Sequence, residues 1–199
     1  MKSIFLDVGS HIGQTVEEVE KNYYKFDEIH CFEPCKSNYE ILCKNFDKNQ
    51  IYIHNFGLYS KNMECNLFSP GEMGASIFND KIDLINVNQT EKIQLKNISE
   101  LITNNLNIND TIFMKINCEG CECDIIENLI LNNIFDNINH IMIDFDVRKI
   151  PSQKHKEHEI MKSVVNKKNI DLCENVMIGT THQNKIKNWL MMYKNECCN

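Results

Sequence analysis

The sequence predicts a single doubly wound α/β domain with a mostly parallel sheet, and three observations carry that reading. Apolar runs of strand length alternate with segments of helical periodicity. The first run, Ile4-Phe5-Leu6-Asp7-Val8, passes directly into the turn "GSHIG" at 9–13, and the second, "EIHCFEP" at 28–34, stops at an acid followed by proline. Runs this apolar on consecutive positions are buried on both faces, as in a parallel sheet covered by helices.

The elements follow in order. After the opening strand, Thr15 to Lys21 reads as an amphipathic helix, so that strand, helix and second strand form a βαβ unit. "SNYEILCKNF" at 37–46 is a helix with Ser37 as its N-cap, and "IYIHNFGLY" at 51–59 is a third strand. From 60 to 100 the pattern changes to two alternating runs around the loop "GEMGASIF", the mark of an inserted hairpin or edge pair over one end of the sheet. "TIFMKINCEG" at 111–120 returns to a buried strand, 122–135 to a helix and 140–147 to a strand. Residues 155–168 read as a helix, while "IDLCENVMIG" and "NWLMMYK" read as closing strands. With 199 residues and 42% hydrophobic content, one domain over 1–199 is expected.

Composition narrows the partners. The net charge of −7 leaves no basic face for a phosphate backbone, so nucleic acid is not expected. No run approaches the roughly 18 apolar residues of a membrane span, and "MKS" leads straight into the first strand, so a cytoplasmic protein without a membrane partner is expected. The ten cysteines lie mostly in apolar or strand-like segments and read as reduced thiols. "CEGCEC" at 118–123 brackets a strand-to-helix turn with no second C-x-x-C, so core packing is expected and no metal.

The turn after the first strand is where a ligand belongs. In an open parallel sheet ligands sit at the carboxyl ends of the strands, where helix N-termini offer free N–H groups. Gly9 lets the backbone come close to a ligand, Gly13 permits close helix entry, and Asp7 can accept from a cationic group. Glu33 ends the second strand about 20 residues on, the separation of an acid that binds both ribose hydroxyls. The glycine pattern is G-x-x-x-G with a preceding acid rather than G-x-G-x-x-G. That favours S-adenosylmethionine, whose amino-acid end suits a looser turn, over a dinucleotide.

The chain resembles the FkbM-type methyltransferases in "FLDVGSHIGQT", "CFEPCKSNYEIL", "NFGLYSKN", "MGASIF", "IQLKNISELI" and, most specifically, "MKINCEGCECDIIENL". The resemblance implies the Rossmann-like class I methyltransferase fold, S-adenosylmethionine as donor, and an oxygen acceptor on a sugar or small metabolite. It implies a cofactor set of Asp7, Gly9, Ser10, His11, Gly13, Gln14, Thr15, Glu33, Pro34, Gly57 and Asn117, with Lys115, Glu119, Gly120 and Glu122 in the fourth-strand motif. His11 is read as hydrogen bonding to the cofactor rather than shuttling protons. Where the family has an aspartate this chain has Asn117, which carries no charge.

Methyl transfer to an alcohol needs a near-attack geometry and a proton acceptor. Glu119 or Asp144 is the candidate base, and Lys115 orients the acceptor or steadies developing charge; a salt-bridged strand end is the structural alternative for Lys115 and Glu119. The acid ending the fifth strand is Asp144 or Asp146. Two rival classes stand beside the enzyme: a cofactor-binding scaffold weakened by Asn117, and a nucleotide-dependent oxidoreductase. No Asn/Asp-Pro-Pro-aromatic run is present to grip a base nitrogen. With a first strand starting at Ile4, a site covered by the loop 60–80 or by a second copy in a homodimer is expected.

Overall fold

A computed structural model describes residues 1–107, 109–164, 167, 170–172 and 181–194. Its frame is a six-stranded sheet whose described pairings are all parallel, in the order β3-β2-β1-β7-β8-β9. These are β1 (Ser3–Val8), β2 (Glu28–Phe32), β3 (Ile51–His54), β7 (Thr111–Ile116), β8 (His140–Ile143) and β9 (Ile170–Leu172). The order reverses direction beside β1, where β1 and β7 lie side by side with Asp7 opposite Lys115. That is the switch point at which such sheets hold ligands.

Strand alternation builds two cores. Ile4, Leu6 and Val8 point to one face with Ile112, Met114 and Ile116, under α3 (Ile98–Asn105), α4 (Glu122–Leu131) and α5 (His155–Val164). Phe5, Ile29, Cys31 and Phe113 point to the other, under α1 (Gln14–Val19), α2 (Lys36–Asn45) and α6 (His182–Met192). Helices on both faces make the doubly wound architecture that the apolar runs predict.

Four expectations are corrected. The "NWLMMYK" stretch is helical, not a strand: Ile186, Trp189 and Leu190 stand three and four apart and bury one face of α6. Trp189 and Tyr193 both donate to Asp171 Oδ2, at 2.8 and 2.6 Å, which ties α6 to β9. Of "IDLCENVMIG", 170–172 form β9 and the rest lies outside the described residues.

The 51–59 strand divides in two, because Asn55 Nδ2 donates to the carbonyls of Glu33 and Pro34 and turns the chain out of the main sheet. The continuation, β4 (Gly57–Tyr59), joins β5 (Met63–Phe68) and β6 (Thr90–Asn97) in a separate three-stranded sheet, where β5 and β6 are antiparallel and β4 runs parallel to β6. The insertion does contain the expected antiparallel pair, but β4 joins it in a sheet of its own rather than leaving it as a lone pair.

Ser37 does not cap α2. The cap is Cys35, and the free N–H groups there are taken by one local and one distant acid: Cys35 N donates to Glu33 and Lys36 N to Glu91, both at 2.9 Å.

Candidate active site

The loop after β1 is shaped by its neighbours in the chain. Gly9 has φ +81°, and a Cβ there would stand 1.9 Å from the Asn117 carbonyl oxygen. The bare backbone at Gly9 thus lets the ends of β1 and β7 close on each other. Gly9 N and Ser10 N both donate to Phe32 O at 3.2 Å, and the Ser10 hydroxyl donates to Asp7 O at 2.8 Å. His11, itself left-handed at φ +50°, donates its N–H to Glu33 Oε2 at 2.8 Å. Gly13 caps α1 at φ +102°, where a side chain would run into Phe46.

Above these strand ends lies a cavity of about 320 Å³, within the range of small-ligand sites. Its floor is the loop 9–15 with Glu33, Lys115 and Asn117. Leu67, Ile93 and Leu95 of the small sheet form an apolar wall, residues 72–77 a second, and His182 and Gln183 of α6 a third.

Burial sets the electrostatics. Glu33 is 6% exposed, and its Oε1 accepts from Cys35 N while Oε2 accepts from His11 N. Burial outweighs those two N–H groups and pushes its carboxyl up to about 7. Asp7 is fully buried and meets the Lys115 ammonium at 3.0 Å, while Lys115 donates to Gly9 O at 2.8 Å. The Asp7–Lys115 contact is an ion pair rather than a directed hydrogen bond, since neither Asp7 oxygen has a hydrogen-bond partner among the described residues.

A family model for the methyltransferase FkbM domain matches residues 7–172. The chain belongs to the FkbM methyltransferase family. The crystal structure of the methyltransferase FkbM from Methylobacillus flagellatus KT shares its fold, with a TM-score of 0.51 at 16% identity. The alignment covers 81% of this chain and 37% of that one, so the chain spans little more than a third of its structural relative. None of the curated proteins matches the sequence.

In this FkbM domain, Gly9, Ser10, His11, Gln14, Thr15, Glu33, Pro34, Gly57, Lys115, Asn117 and Glu119 all line the cavity. Asp7 and Gly13 lie behind it, and the cation that Asp7 meets is Lys115 of the same chain. Asp144 is not among the residues that line the cavity; strand β8 ends at Ile143, and the Asp144 carboxylate lies 3.8 Å from Arg148 Nη2. Glu122 is fully buried beneath the turn, where its carboxylate accepts from the N–H groups of Cys118 and Gly120. It shapes the loop that carries Glu119, and burial pushes its carboxyl up to about 7.

Glu119 sits at φ +57° with its carbonyl accepting from Ser76 Oγ at 2.7 Å. Burial first, then the nearby Asp146, pushes its carboxyl up to about 7 against the pull of Lys81 and Lys149. Lys81, whose side chain is fully buried, is 3.1 Å from Glu119 Oε2, pairs with Asp83 and donates to Gly74 O. Sequence reasoning missed Lys81 because it lies in a loop with no periodicity. It missed His182 because Thr15, its partner at 2.9 Å, is 167 positions away. The one signal was Thr181, whose hydroxyl caps α6 by accepting from Asn184 N.

Proposed function

We propose that this FkbM domain is an S-adenosylmethionine-dependent O-methyltransferase acting on a hydroxyl of a sugar, glycan or small metabolite. Glu33 carries the reading. Each of its oxygens accepts one backbone N–H and retains acceptor capacity at the cavity, which suits the two hydroxyls of a ribose. Asn117 Oδ1 and His11 Nε2 on the cavity are also buried with no hydrogen-bond partner among the described residues, and a polar ligand would satisfy them. Residues 9–15 and Glu33 would hold the adenosine and amino-acid parts, with the apolar wall of Leu67, Ile93 and Leu95 excluding water.

When bound, S-adenosylmethionine supplies an electrophilic methyl group. The chain has to present a hydroxyl oxygen in line with it and take the proton. Glu119 is the base: its carboxyl lies near 7, where a general base works at neutral pH, and it lines the same cavity. Lys81 holds that carboxylate in place. Asn117, neutral, orients by hydrogen bonds.

Labelled S-adenosylmethionine incubated with a panel of glycans and hydroxylated metabolites tests the reading. Label should pass to a hydroxyl acceptor, and Glu119→Gln should lower the rate by about 10²–10⁴-fold. Binding of donor with no transfer to any acceptor would instead support a scaffold weakened at Asn117, and a requirement for NAD would overturn the methyl-transfer reading.

A further inference from the structure

One wall of the cavity comes from the far end of the chain. His182 and Gln183 open α6 and line it beside Thr15, and His182 Nε2 lies 2.9 Å from the Thr15 hydroxyl. The charged groups acting on His182 are Lys115 of β7, Asp7 of β1 and Lys185 of α6 itself. Burial, then the Lys115 ammonium, pushes the ring down to about 4, so it is neutral at physiological pH. Lys115 lines the same cavity, where it donates to Gly9 O and is ion-paired with Asp7.

The cavity is therefore polarised. The Glu33 side presents acceptors, while the side made by Lys115, Thr15 and His182 presents an ammonium and the Thr15 hydroxyl, which the neutral His182 ring bonds. The positive end of the helix dipole of α6 reinforces the second side. We propose that His182 and Thr15, together with Lys115, receive the carboxylate at the amino-acid end of S-adenosylmethionine, so that α6 supplies a cofactor-positioning residue. In this arrangement His182 donates from Nε2 to Thr15 Oγ1, and the hydroxyl hydrogen is given to the carboxylate. The inference rests on the cofactor reading above.

Three ligands separate the possibilities: S-adenosylmethionine, S-adenosylhomocysteine, and 5′-methylthioadenosine, which keeps the adenosine and thioether but lacks the amino acid. Each is titrated by calorimetry into the wild-type chain, His182→Ala and Thr15→Val, with thermal melts to confirm folding. Both variants should lose about tenfold or more in affinity for the two amino-acid-bearing ligands, the loss expected for a hydrogen bond to a charged group. Their affinity for 5′-methylthioadenosine should stay within about twofold of wild type.

Equal losses for all three ligands would make His182 a packing residue and overturn the proposal, as would no loss for any. If His182→Ala does not fold, Thr15→Val alone decides. A wild-type chain that binds none of the three removes the cofactor reading itself, and this inference with it, before any variant is compared.

Discussion

Glu33→Gln separates the electrostatic state of the cavity from its shape. In the folded chain the Glu33 carboxyl lies at about 7 against an ordinary 4.5, so folding favours its protonated form. A raised carboxyl contributes stability that is present below about 4.5 and lost as pH rises through about 7. At about 1.4 kcal/mol per pH unit, that loss amounts to about 3 kcal/mol for the ligand-free chain. Glutamine does not titrate. It sets an amide N–H₂ against one of the two N–H groups from His11 and Cys35, a mismatch of about 1–3 kcal/mol that is the same at every pH. Glu119 and Glu122 titrate in both proteins and cancel in the difference. Urea unfolding of both proteins at pH 5 and pH 8 should therefore show the stability difference moving toward the variant by up to about 3 kcal/mol at the higher pH. A difference independent of pH, or one that moves toward wild type, would refute the account of a carboxyl whose ionisation burial opposes.

Other substitutions test other parts of the site. Gly9→Ala places a Cβ against the Asn117 carbonyl at φ +81° and should cost more than about 3 kcal/mol or prevent folding; an unchanged melting temperature would contradict it. Lys115→Met leaves the Asp7 carboxylate buried without its cation and should cost about 3–5 kcal/mol in denaturant unfolding, with much of the loss restored by adding Asp7→Asn. Failure of the double variant to recover would show that Lys115 acts through packing. Lys81→Met removes a cation that holds the Glu119 carboxyl down, so the pH midpoint of methyl transfer should rise by about one unit or more. A midpoint that stays put would remove Glu119 from the role of base.

The strands of the main sheet were legible because burial on both faces writes itself as unbroken apolar runs, as in "SIFLDV" and "TIFMKI". The loop 9–15 and Glu33 were legible because glycine spacing and a strand-end acid are local signals. The reading failed where the determining contacts are remote. Asn55 turns the third strand by bonding to carbonyls of another strand end, and Glu91 caps α2 from 55 positions away. Trp189, Leu190 and the following methionines look strand-like by composition, and only their placement against Asp171 and the second core makes a helix the better solution. His182 enters the cavity, and Lys81 reaches Glu119, through tertiary packing alone. Which of Glu119 and Asp144 lines the cavity was not legible, because Asp144 follows the last residue of β8 and meets Arg148.

The central claim is that the Glu33 carboxylate holds the ribose of S-adenosylmethionine. Calorimetric titration of that ligand into the wild-type chain and Glu33→Ala, side by side, addresses it most directly. The account expects one site per chain in the wild type and a loss on the order of 10²–10⁴-fold in the variant, from two hydrogen bonds to a charged acceptor. No binding by the wild type, or equal affinity in the two proteins, would contradict it.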